Sequence, residues 1–360
     1  MNKLLKKQFV MTLLCGWFLS FYAYAEEDKG KFFGAKQTEY PKWFKESFLN
    51  FKEDVEEAKS EHKRIMLFFH QDGCPYCNAL VERNLAQKDI EEKVRKNFEV
   101  ISLNMWGDRE LTYLDGNQYI EKTLAEKLRV QFTPTLIFFD ENGNIVLRLN
   151  GYRAPHRFSV DLDYVAQHKE GSDYREYVKA NLTQEPSSKQ LNTEDFFAAA
   201  PFDLRPQSGS FSGKKALAVY FEQKDCPNCD TLHSKILPDK QLRTIIKQMK
   251  NVQLDMWSKT EVITPQGKKT TARQWAKDLD IKFAPSIVLF NDKGEEVIRS
   301  EAFFKVFHTQ GIFQYTLSGD YKEEPSFQRW LSGYADEFRK QGKDVDIWRY
   351  AGEQAGAGKH

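Results

Sequence analysis

A Cys-x-x-Cys pattern occurs twice in this chain, and the sequence around it is repeated with it. Cys226 and Cys229 follow Cys74 and Cys77 by 152 positions. Other landmarks recur 151 positions apart: Met105-Trp106 and Met256-Trp257, Gly116 and Gly267, Pro134 and Pro285, Gly143 and Gly294, Arg148 and Arg299, Tyr164 and Tyr315. A nearly constant offset over so many positions indicates a duplication, which predicts two domains of one fold in tandem.

Each cysteine pair is predicted to open a helix directly after a buried strand. In the first copy, the apolar run 65–69 is typical of a buried strand, and residues 78–85 have the apolar spacing of a helix. The unpaired N–H groups and the dipole at a helix N-terminus stabilise a thiolate, so we expect Cys74 to be the attacking thiol. Pro75 suits the first helical position. Cys77 is close enough to form a disulfide with Cys74 or to resolve a mixed disulfide.

The rest of the first copy predicts alternating strands and helices. Apolar spacings of three and four indicate an amphipathic helix on Phe44, Phe48, Phe51, Val55 and Ala58. Further predicted elements are a strand over 99–103, a helix over 120–128, a hairpin of strands 135–139 and 145–149, and a helix over 158–167. The order β-α-β-α-β-β-α predicts the α/β class, with a central mixed sheet flanked by helices in each copy.

The N-terminus has the features of a secretory signal peptide over residues 1–25. Three lysines precede an apolar stretch from Phe9 to Tyr22, and Ala23-Tyr24-Ala25 is a typical cleavage site. An uncleaved membrane anchor is the alternative, although the stretch is short for a bilayer span. Cleavage after Ala25 predicts a periplasmic protein without a stable membrane span.

Cleavage would change the charge and the cysteine content. It removes Cys15, and the remaining four cysteines all belong to the two pairs, which suits thiol exchange in an oxidising compartment. Because the signal contains three lysines and no acids, the mature chain would carry 50 basic and 52 acidic residues. This near balance gives no reason to expect nucleic acid as a partner.

The predicted organisation has five segments. They are a signal peptide over 1–25, a first domain over 26–180, a linker over 181–213, a second domain over 214–350 and a disordered tail over 351–360. The linker is rich in Pro, Ser and Gly, and the tail is small and polar. Phe196, Phe197 and Phe202 of the linker are expected to pack on a neighbouring surface.

Both copies resemble the thioredoxin superfamily, and in particular the exported SoxW-type thioredoxins. In the first copy, the resemblance is carried by Gln71-Asp72-Gly73-Cys74-Pro75-Tyr76-Cys77, Leu103-Asn104-Met105-Trp106 and Phe132-Thr133-Pro134-Thr135. In the second, it is carried by Cys226-Pro227-Asn228-Cys229, Leu254-Asp255-Met256-Trp257 and Phe283-Ala284-Pro285-Ser286. The resemblance implies two tandem thioredoxin-like domains, whose redox-active disulfides Cys74–Cys77 and Cys226–Cys229 need no other cofactor.

The resemblance also implies a substrate-binding segment in each copy. Pro134 and Pro285 would follow cis peptide bonds and face the disulfides. Thr133 and Ala284, directly before them, would offer backbone groups to a substrate strand. A trans proline that ends a loop before a strand is the alternative at both positions.

An acidic residue that the resemblance leads us to expect before each cysteine pair is missing. Thioredoxin carries a buried aspartate six residues before its first active cysteine, where this chain has Phe68 and Tyr220. Four residues before the cysteines stand His70 and Glu222. These side chains could tune the thiol or carry a proton, or they could face solvent at the ends of their strands.

The cysteine pairs predict a thiol–disulfide oxidoreductase that acts on protein thiols and disulfides. Tyr76 in one pair and Asn228 in the other affect thiolate stability, so two different reduction potentials are expected. The resemblance favours reduction or maintenance of partner thiols, with electrons from a membrane donor of the DsbD or CcdA type. A disulfide oxidase or isomerase would use the same residues, and one copy could instead serve for docking.

A cysteine-based metal-binding module is the alternative from a different class. Four cysteines could form a tetrahedral site, and His233 could join the second pair. However, 148 residues separate Cys77 from Cys226, unlike the spacing of a zinc ribbon. No metal site is therefore assigned, and His233 is expected on a helix surface.

Overall fold

The computed structural model of the protein describes residues 29–183, 185–206, 216–301 and 304–356. The predicted signal peptide over 1–25 lies outside these ranges, as do parts of the predicted linker and tail. Among the helices in these ranges, none combines the length and the apolar character that a bilayer span requires.

The first domain is built on a four-stranded sheet with the order β3-β2-β6-β7. The first half of the chain contains β1 (Phe32–Phe33), α1 (Phe51–Ser60), β2 (Arg64–His70), α2 (Pro75–Ala79), α3 (Lys88–Asn97), β3 (Phe98–Asn104), β4 (Glu110–Thr112), β5 (Gln118–Ile120), α4 (Glu121–Lys127), β6 (Thr135–Phe139), β7 (Ile145–Asn150), α5 (Pro155–Gln167) and α6 (Tyr174–Asn181). Strand β2 is parallel to β3 and antiparallel to β6, which pairs antiparallel with β7. A π-helical segment, Leu80–Leu85, continues α2.

The second domain repeats this sheet in the order β10-β9-β13-β14. The second half of the chain contains β8 (Phe202–Asp203), β9 (Leu217–Glu222), α7 (Pro227–Thr231), α8 (Lys240–Ile246), β10 (Lys250–Asp255), β11 (Glu261–Ile263), β12 (Lys269–Thr271), α9 (Ala272–Asp278), β13 (Ser286–Phe290), β14 (Glu296–Ser300), α10 (Val306–Ser318), α11 (Phe327–Lys340) and β15 (Val345–Asp346). A π-helical segment, Leu232–Ile236, follows α7, and a 3-10 turn, Asp320–Lys322, follows α10. Strand β1 pairs in parallel with β15, so both ends of the described chain meet.

The inner strands β2 and β9 are buried on both faces because all their positions except the end residues Arg64, His70 and Glu222 are apolar. In β2, Ile65, Leu67 and Phe69 belong to one hydrophobic cluster, whereas Met66 and Phe68 belong to another. This division follows the period of two along a strand. The predicted α/β class, with a mixed sheet in each of two copies, is thereby confirmed.

The two domains share one hydrophobic cluster. The cluster that contains Phe68 of β2 also contains Tyr220 of β9, and both side chains are fully buried. Across the interface, the Phe132 ring lies 4.8 Å from the Phe304 ring and 5.3 Å from the Phe327 ring. The cores on the Phe68 side of one sheet and the Tyr220 side of the other are therefore continuous through these interface aromatics.

The first helix is shorter than its apolar spacing predicts. Helix α1 begins at Phe51, so the predicted helical positions Phe44 and Phe48 precede it, and that part of the prediction is wrong. Leu49 has a φ of 62°, a left-handed conformation that a helix cannot contain. Phe44 still packs into the core, whereas Phe48 is fully exposed.

The segments assigned to the linker and the tail also make ordered contacts. Residues 202–203 form β8, which pairs in parallel with β11. The Phe197 ring packs 5.0 Å from the Tyr220 ring, as expected for an aromatic residue of this segment. In the tail, the backbone N–H of Ala351 donates to the Lys235 carbonyl at 2.8 Å.

Candidate functional site

Each cysteine pair forms a disulfide at the start of the helix that follows the central strand. Cys74 is the N-cap of α2, and its Sγ accepts the backbone N–H of Cys77 at 3.0 Å. Cys226 caps α7 in the same way and accepts the N–H of Cys229 at 3.1 Å. This N–H group would still face the sulfur after reduction, where it would stabilise a thiolate.

The proline segments lie directly before β6 and β13. The peptide bonds Thr133–Pro134 and Ala284–Pro285 are cis. Thr133 is buried, whereas Ala284 is half-buried. Ala284 and Pro285 line the same cleft as Cys226, so a molecule bound there would meet both the sulfur and the proline segment.

A tryptophan holds the loop before each cysteine pair. The indole Nε1 of Trp106 donates to Oε1 of Gln71 at 2.9 Å, and Nε1 of Trp257 donates to Oε1 of Gln223 at 2.8 Å. The repeat of Met-Trp in the sequence indicates that the tryptophans are equivalent, but it does not predict that Gln71 and Gln223 accept their hydrogen bonds. Both loops are thus positioned by an equivalent hydrogen bond.

The second domain covers the first cysteine pair. The Tyr76 hydroxyl donates to the Ile347 carbonyl at 3.2 Å, and its ring lies 4.5 Å from Trp348 and 5.3 Å from His308. Burial raises the pKa of Tyr76 well above its ordinary value. Because Cys74 is buried to 2% exposure, a folded partner requires a displacement of this cover to reach its sulfur.

The second cysteine pair borders a cleft of about 690 Å³ between the domains, which Tyr76 of the first pair also lines. Cys226 and Asn228 line this cleft on one side, and Arg153 and Lys179 of the first domain line it on another. Cys229 is buried to 1% exposure. Cys226 is therefore the sulfur that a molecule in the cleft would contact.

The comparison with protein families identifies this architecture. The profile of the thioredoxin-like domain matches residues 51–166 and 211–305, which together are more than half of the chain. The chain belongs to the thioredoxin-like family. The two matched regions contain the two cysteine pairs and the two proline segments, so both copies are thioredoxin-like domains.

One curated protein of similar sequence is named a thiol:disulfide interchange protein. The chain is 27% identical over 112 residues to the thiol:disulfide interchange protein DsbD of Photorhabdus laumondii, a match that covers 30% of this chain and 17% of that relative. The chain thus spans about a sixth of the length of this curated relative.

Matches among solved structures were also found. A thioredoxin-fold protein from Helicobacter pylori matches with a TM-score of 0.34 and 15% identity, covering 41% of this chain and 94% of that one. The C-terminal domain of DsbD from Neisseria meningitidis matches with a TM-score of 0.24 and 17% identity, covering 33% and 94%. These proteins do not carry a SoxW-type name, so that finer resemblance stays a prediction.

In the first thioredoxin-like domain, His70 is half-buried at the end of β2. Its ring packs 4.4 Å from the Tyr40 ring, and Nδ1 has no hydrogen-bond partner among the described residues. Burial lowers the pKa of His70 to about 4. With its pKa lowered in this way, the imidazole is mostly neutral at pH 7, and its role as a tuning residue stays a prediction.

In the second thioredoxin-like domain, Glu222 is fully buried and paired. Nε2 of His233 lies 3.1 Å from both carboxylate oxygens of Glu222, and Nδ1 lies 3.0 Å from Glu194. Burial opposes protonation of the imidazole, but the hydrogen bonds to the two carboxylates outweigh it and raise the pKa of His233 above its ordinary value. The solvent-facing alternative for Glu222 and the expectation of a surface His233 are wrong, because Glu194 and Phe197 of the linker segment pack over this histidine.

The same contacts bear on metal binding. Across the described ranges, no three His, Cys, Asp or Glu side chains are arranged to hold a metal ion. His233, the residue considered as a ligand beside Cys226 and Cys229, engages Glu222 and Glu194 with its two ring nitrogens.

Proposed function

We propose that the protein is a periplasmic thiol–disulfide oxidoreductase that reduces or maintains the thiols of partner proteins. The observation that carries this proposal is the position of Cys74 and Cys226, each of which caps a helix and accepts the N–H of its paired cysteine. An N–H donor at this sulfur lowers the free energy of the thiolate, which is the reactive form in exchange.

The reaction proceeds through a mixed disulfide. The thiolate of Cys74 or Cys226 attacks one sulfur of a partner disulfide, and the other partner sulfur leaves as a thiolate. Cys77 or Cys229 then attacks the bond between enzyme and partner, which releases the reduced partner and forms the enzyme disulfide. Two electrons pass from the dithiol to the partner disulfide, and a reductant must restore the dithiol.

The substrate segment, the location and the electron donor complete the proposal. Ala284 with Pro285, and Thr133 with Pro134 once the cover of the second domain is displaced, offer backbone groups to an extended stretch of the partner. The signal peptide predicted over 1–25 exports the chain to the periplasm. A membrane thiol–disulfide carrier of the DsbD or CcdA type supplies the electrons, in keeping with the name of the relative described above.

A mixed-disulfide trap tests this function. The variant Cys77→Ser/Cys229→Ser keeps both attacking thiols and lacks both resolving thiols, so bound partners should stay covalently attached. The proposal predicts adducts that dithiothreitol releases and that mass spectrometry identifies as exported proteins with cysteines. The matched control, with all four cysteines changed to Ser, should retain none.

The direction of transfer needs a second measurement. If the purified protein reduces insulin disulfides with dithiothreitol as donor, and the four-serine control does not, the reductase assignment is supported. A trap without adducts, together with no insulin reduction by the wild type, would contradict the proposed function.

A further inference from the structure

We propose that the second cysteine pair exchanges electrons with a small anionic disulfide, which the cleft between the domains binds through its arginine and lysine side chains. This proposal rests on the exchange chemistry of the proposed function and adds a substrate class for Cys226 and Cys229. Three properties of the cleft support this substrate class: its charge, its size and its difference from the covered first pair.

The cleft is basic although the whole chain is nearly neutral, with 53 basic and 52 acidic residues. Eight arginine and lysine side chains line it, compared with four carboxylates. Two of these carboxylates pair with cations outside the lining: Asp225 lies 2.5 Å from Lys189, and Glu301 lies 3.5 Å from Arg299. Of the cations, Arg175 pairs with Asp173 at 3.2 Å and Lys282 with Asp280 at 2.6 Å, two acids outside the lining, and positive charge remains in excess among the lining residues.

This positive charge lies beside the loops of the second site. The Arg175 guanidinium and the Lys179 ammonium lie 5.2 Å and 5.9 Å from the Trp257 ring, which also lines the cleft. The Arg153 guanidinium lies 3.6 Å from the Phe283 ring, directly before the segment Ala284-Pro285. An anion beside Cys226 would therefore meet several cations from the first domain.

Two of the arginines are themselves in an unfavourable environment. Arg153 is buried, its Nε and Nη2 have no hydrogen-bond partner within the described part of the chain, and Nε is 3.9 Å from Asp161. Burial, together with the charge of Arg153, lowers the pKa of Arg157. A bound anion would offset this repulsion between like charges.

The duplicated fold provides an internal comparison. At the positions of Arg153 and Arg157, the second domain has Phe304 and His308, and these close over Tyr76 of the first site. The first pair is thus covered by aromatic side chains, whereas Cys226 of the second pair, which is 5% exposed, borders a basic cleft that Tyr76 also lines. Its volume of about 690 Å³ is in the range of small-molecule sites, roughly 300 to 1,000 Å³.

The exchange is balanced without any further reactant. The Cys226 thiolate attacks one sulfur of the small disulfide, whose S–S bond breaks and releases one small thiolate. Cys229 then attacks the Cys226 sulfur and releases the second small thiolate. The protein dithiol is oxidised to a disulfide, the small disulfide is reduced to two thiols, and two protons pass to the small thiolates or to solvent.

The test uses three small disulfides that differ in charge: glutathione disulfide, which is anionic, hydroxyethyl disulfide, which is neutral, and cystamine, which is cationic. The protein is the reduced full chain with Cys74→Ser/Cys77→Ser, so that the second pair alone reacts. In this background, Arg175→Gln/Lys179→Gln removes two charges from the cleft. The matched control, Arg273→Gln/Lys277→Gln, removes two charges at the same spacing from exposed positions of α9 outside the cleft.

We expect the cleft variant to react about tenfold more slowly with glutathione disulfide and several-fold faster with cystamine. Its rate with hydroxyethyl disulfide should match that of the parent, which also shows that the site is still folded. The α9 control should leave all three rates within about twofold of the parent.

Two negative results would have different meanings. If the cleft variant changes all three rates by the same factor or changes none, the anionic substrate class is wrong while the exchange function stands. If the parent protein reacts with none of the three probes, the exchange function of the second pair fails as well.

Discussion

The guanidinium of Arg153 lies 3.6 Å from the centroid of the Phe283 ring, across the interface between the two domains. The equivalent pair in the duplicated fold is Phe304 and Phe132, whose rings are 4.8 Å apart. Equivalent positions of the two domains thus pack against the proline segment of the opposite domain. Arg153 of the first domain places a charge there, whereas Phe304 of the second domain places an aromatic ring. Because of this difference, we expect the two cysteine pairs to differ in how easily partner molecules reach their sulfurs and in which partners they bind.

The first prediction concerns the order of thiol reactivity. In the reduced native protein, Cys226 should be alkylated by iodoacetamide faster than Cys74, because Cys226 borders the cleft and Cys74 lies under the cover of the second domain. Quenched labelling followed by peptide mass analysis measures both rates. The two rates should converge in guanidinium chloride, and faster labelling of Cys74 in the native protein would contradict the prediction.

The second prediction concerns the aromatic cover. Phe304 is buried against Phe132 and Tyr76, so Phe304→Ala should cost about 3 kcal/mol in the packing between domains. We expect faster alkylation of Cys74 and an unchanged rate at Cys226. Phe48→Ala is the matched control because Phe48 is fully exposed, and it should change neither rate. Equal labelling of Cys74 in both variants would show that Phe304 does not restrict access.

The third prediction concerns the loss of folding stability at acidic pH that His308 causes. His308 stacks 5.4 Å from Phe304, and burial lowers its pKa to about 4. The unfolded chain binds this proton near pH ~6.5, so the stability that neutral His308 contributes is present above that pH and is lost as the pH falls toward 4. Between pH 7 and pH 5 this residue should cost the wild type about 2 kcal/mol of unfolding free energy.

The variant His308→Leu should remove that part of the pH dependence, as measured by guanidinium unfolding at both pH values. His70, which is half-buried and also has a lowered pKa, remains in this variant and keeps a second acid-dependent contribution. His70→Leu should therefore remove a further part. Identical pH dependence in the wild type and in the double variant would contradict both assignments.

The fourth prediction concerns the buried pair of Glu222 and His233. His233→Gln should destabilise the second domain by about 3 kcal/mol, because Glu222 would keep a buried charge without its partner. Since the pKa of His233 is raised in the folded state, its contribution is complete below pH ~6.5 and is lost as the pH rises through the raised value. The loss on substitution should therefore be larger at pH 6 than at pH 9.

Glu222→Gln/His233→Gln serves as the control for this pair. It removes the buried charge, so we expect a smaller loss of unfolding free energy than in His233→Gln alone. A larger loss in the double variant would show that packing, rather than charge pairing, determines the stability at this position.

The tandem thioredoxin-like fold could be predicted because its signals are local or periodic. The apolar run of β2 and the hairpin turns at Gly143 and Gly294, whose φ values are 80° and 78°, depend on short stretches of sequence. The placement of Phe44 and Phe48 in a helix failed because apolar spacing does not reveal that Leu49 adopts a left-handed conformation.

The features that distinguish the two sites could not be predicted in the same way. Burial of His233 depends on Glu194, which lies 39 positions away in a segment of linker composition. The cover of Tyr76 comes from His308 and Trp348, which are distant in sequence and carry no local pattern for this contact. These features depend on long-range packing between the domains, which cannot be predicted from the spacing of residues within one copy.

The most direct test of the account is a redox titration of each cysteine pair in glutathione buffers, with the other pair changed to serine. The disulfide fraction is measured by mass after rapid acid quenching and alkylation. The account predicts that each pair titrates as a two-electron couple with an intramolecular disulfide, and that the pair around Tyr76 and the pair around Asn228 have different potentials. Pairs that form no intramolecular disulfide over the whole range of buffers would contradict it.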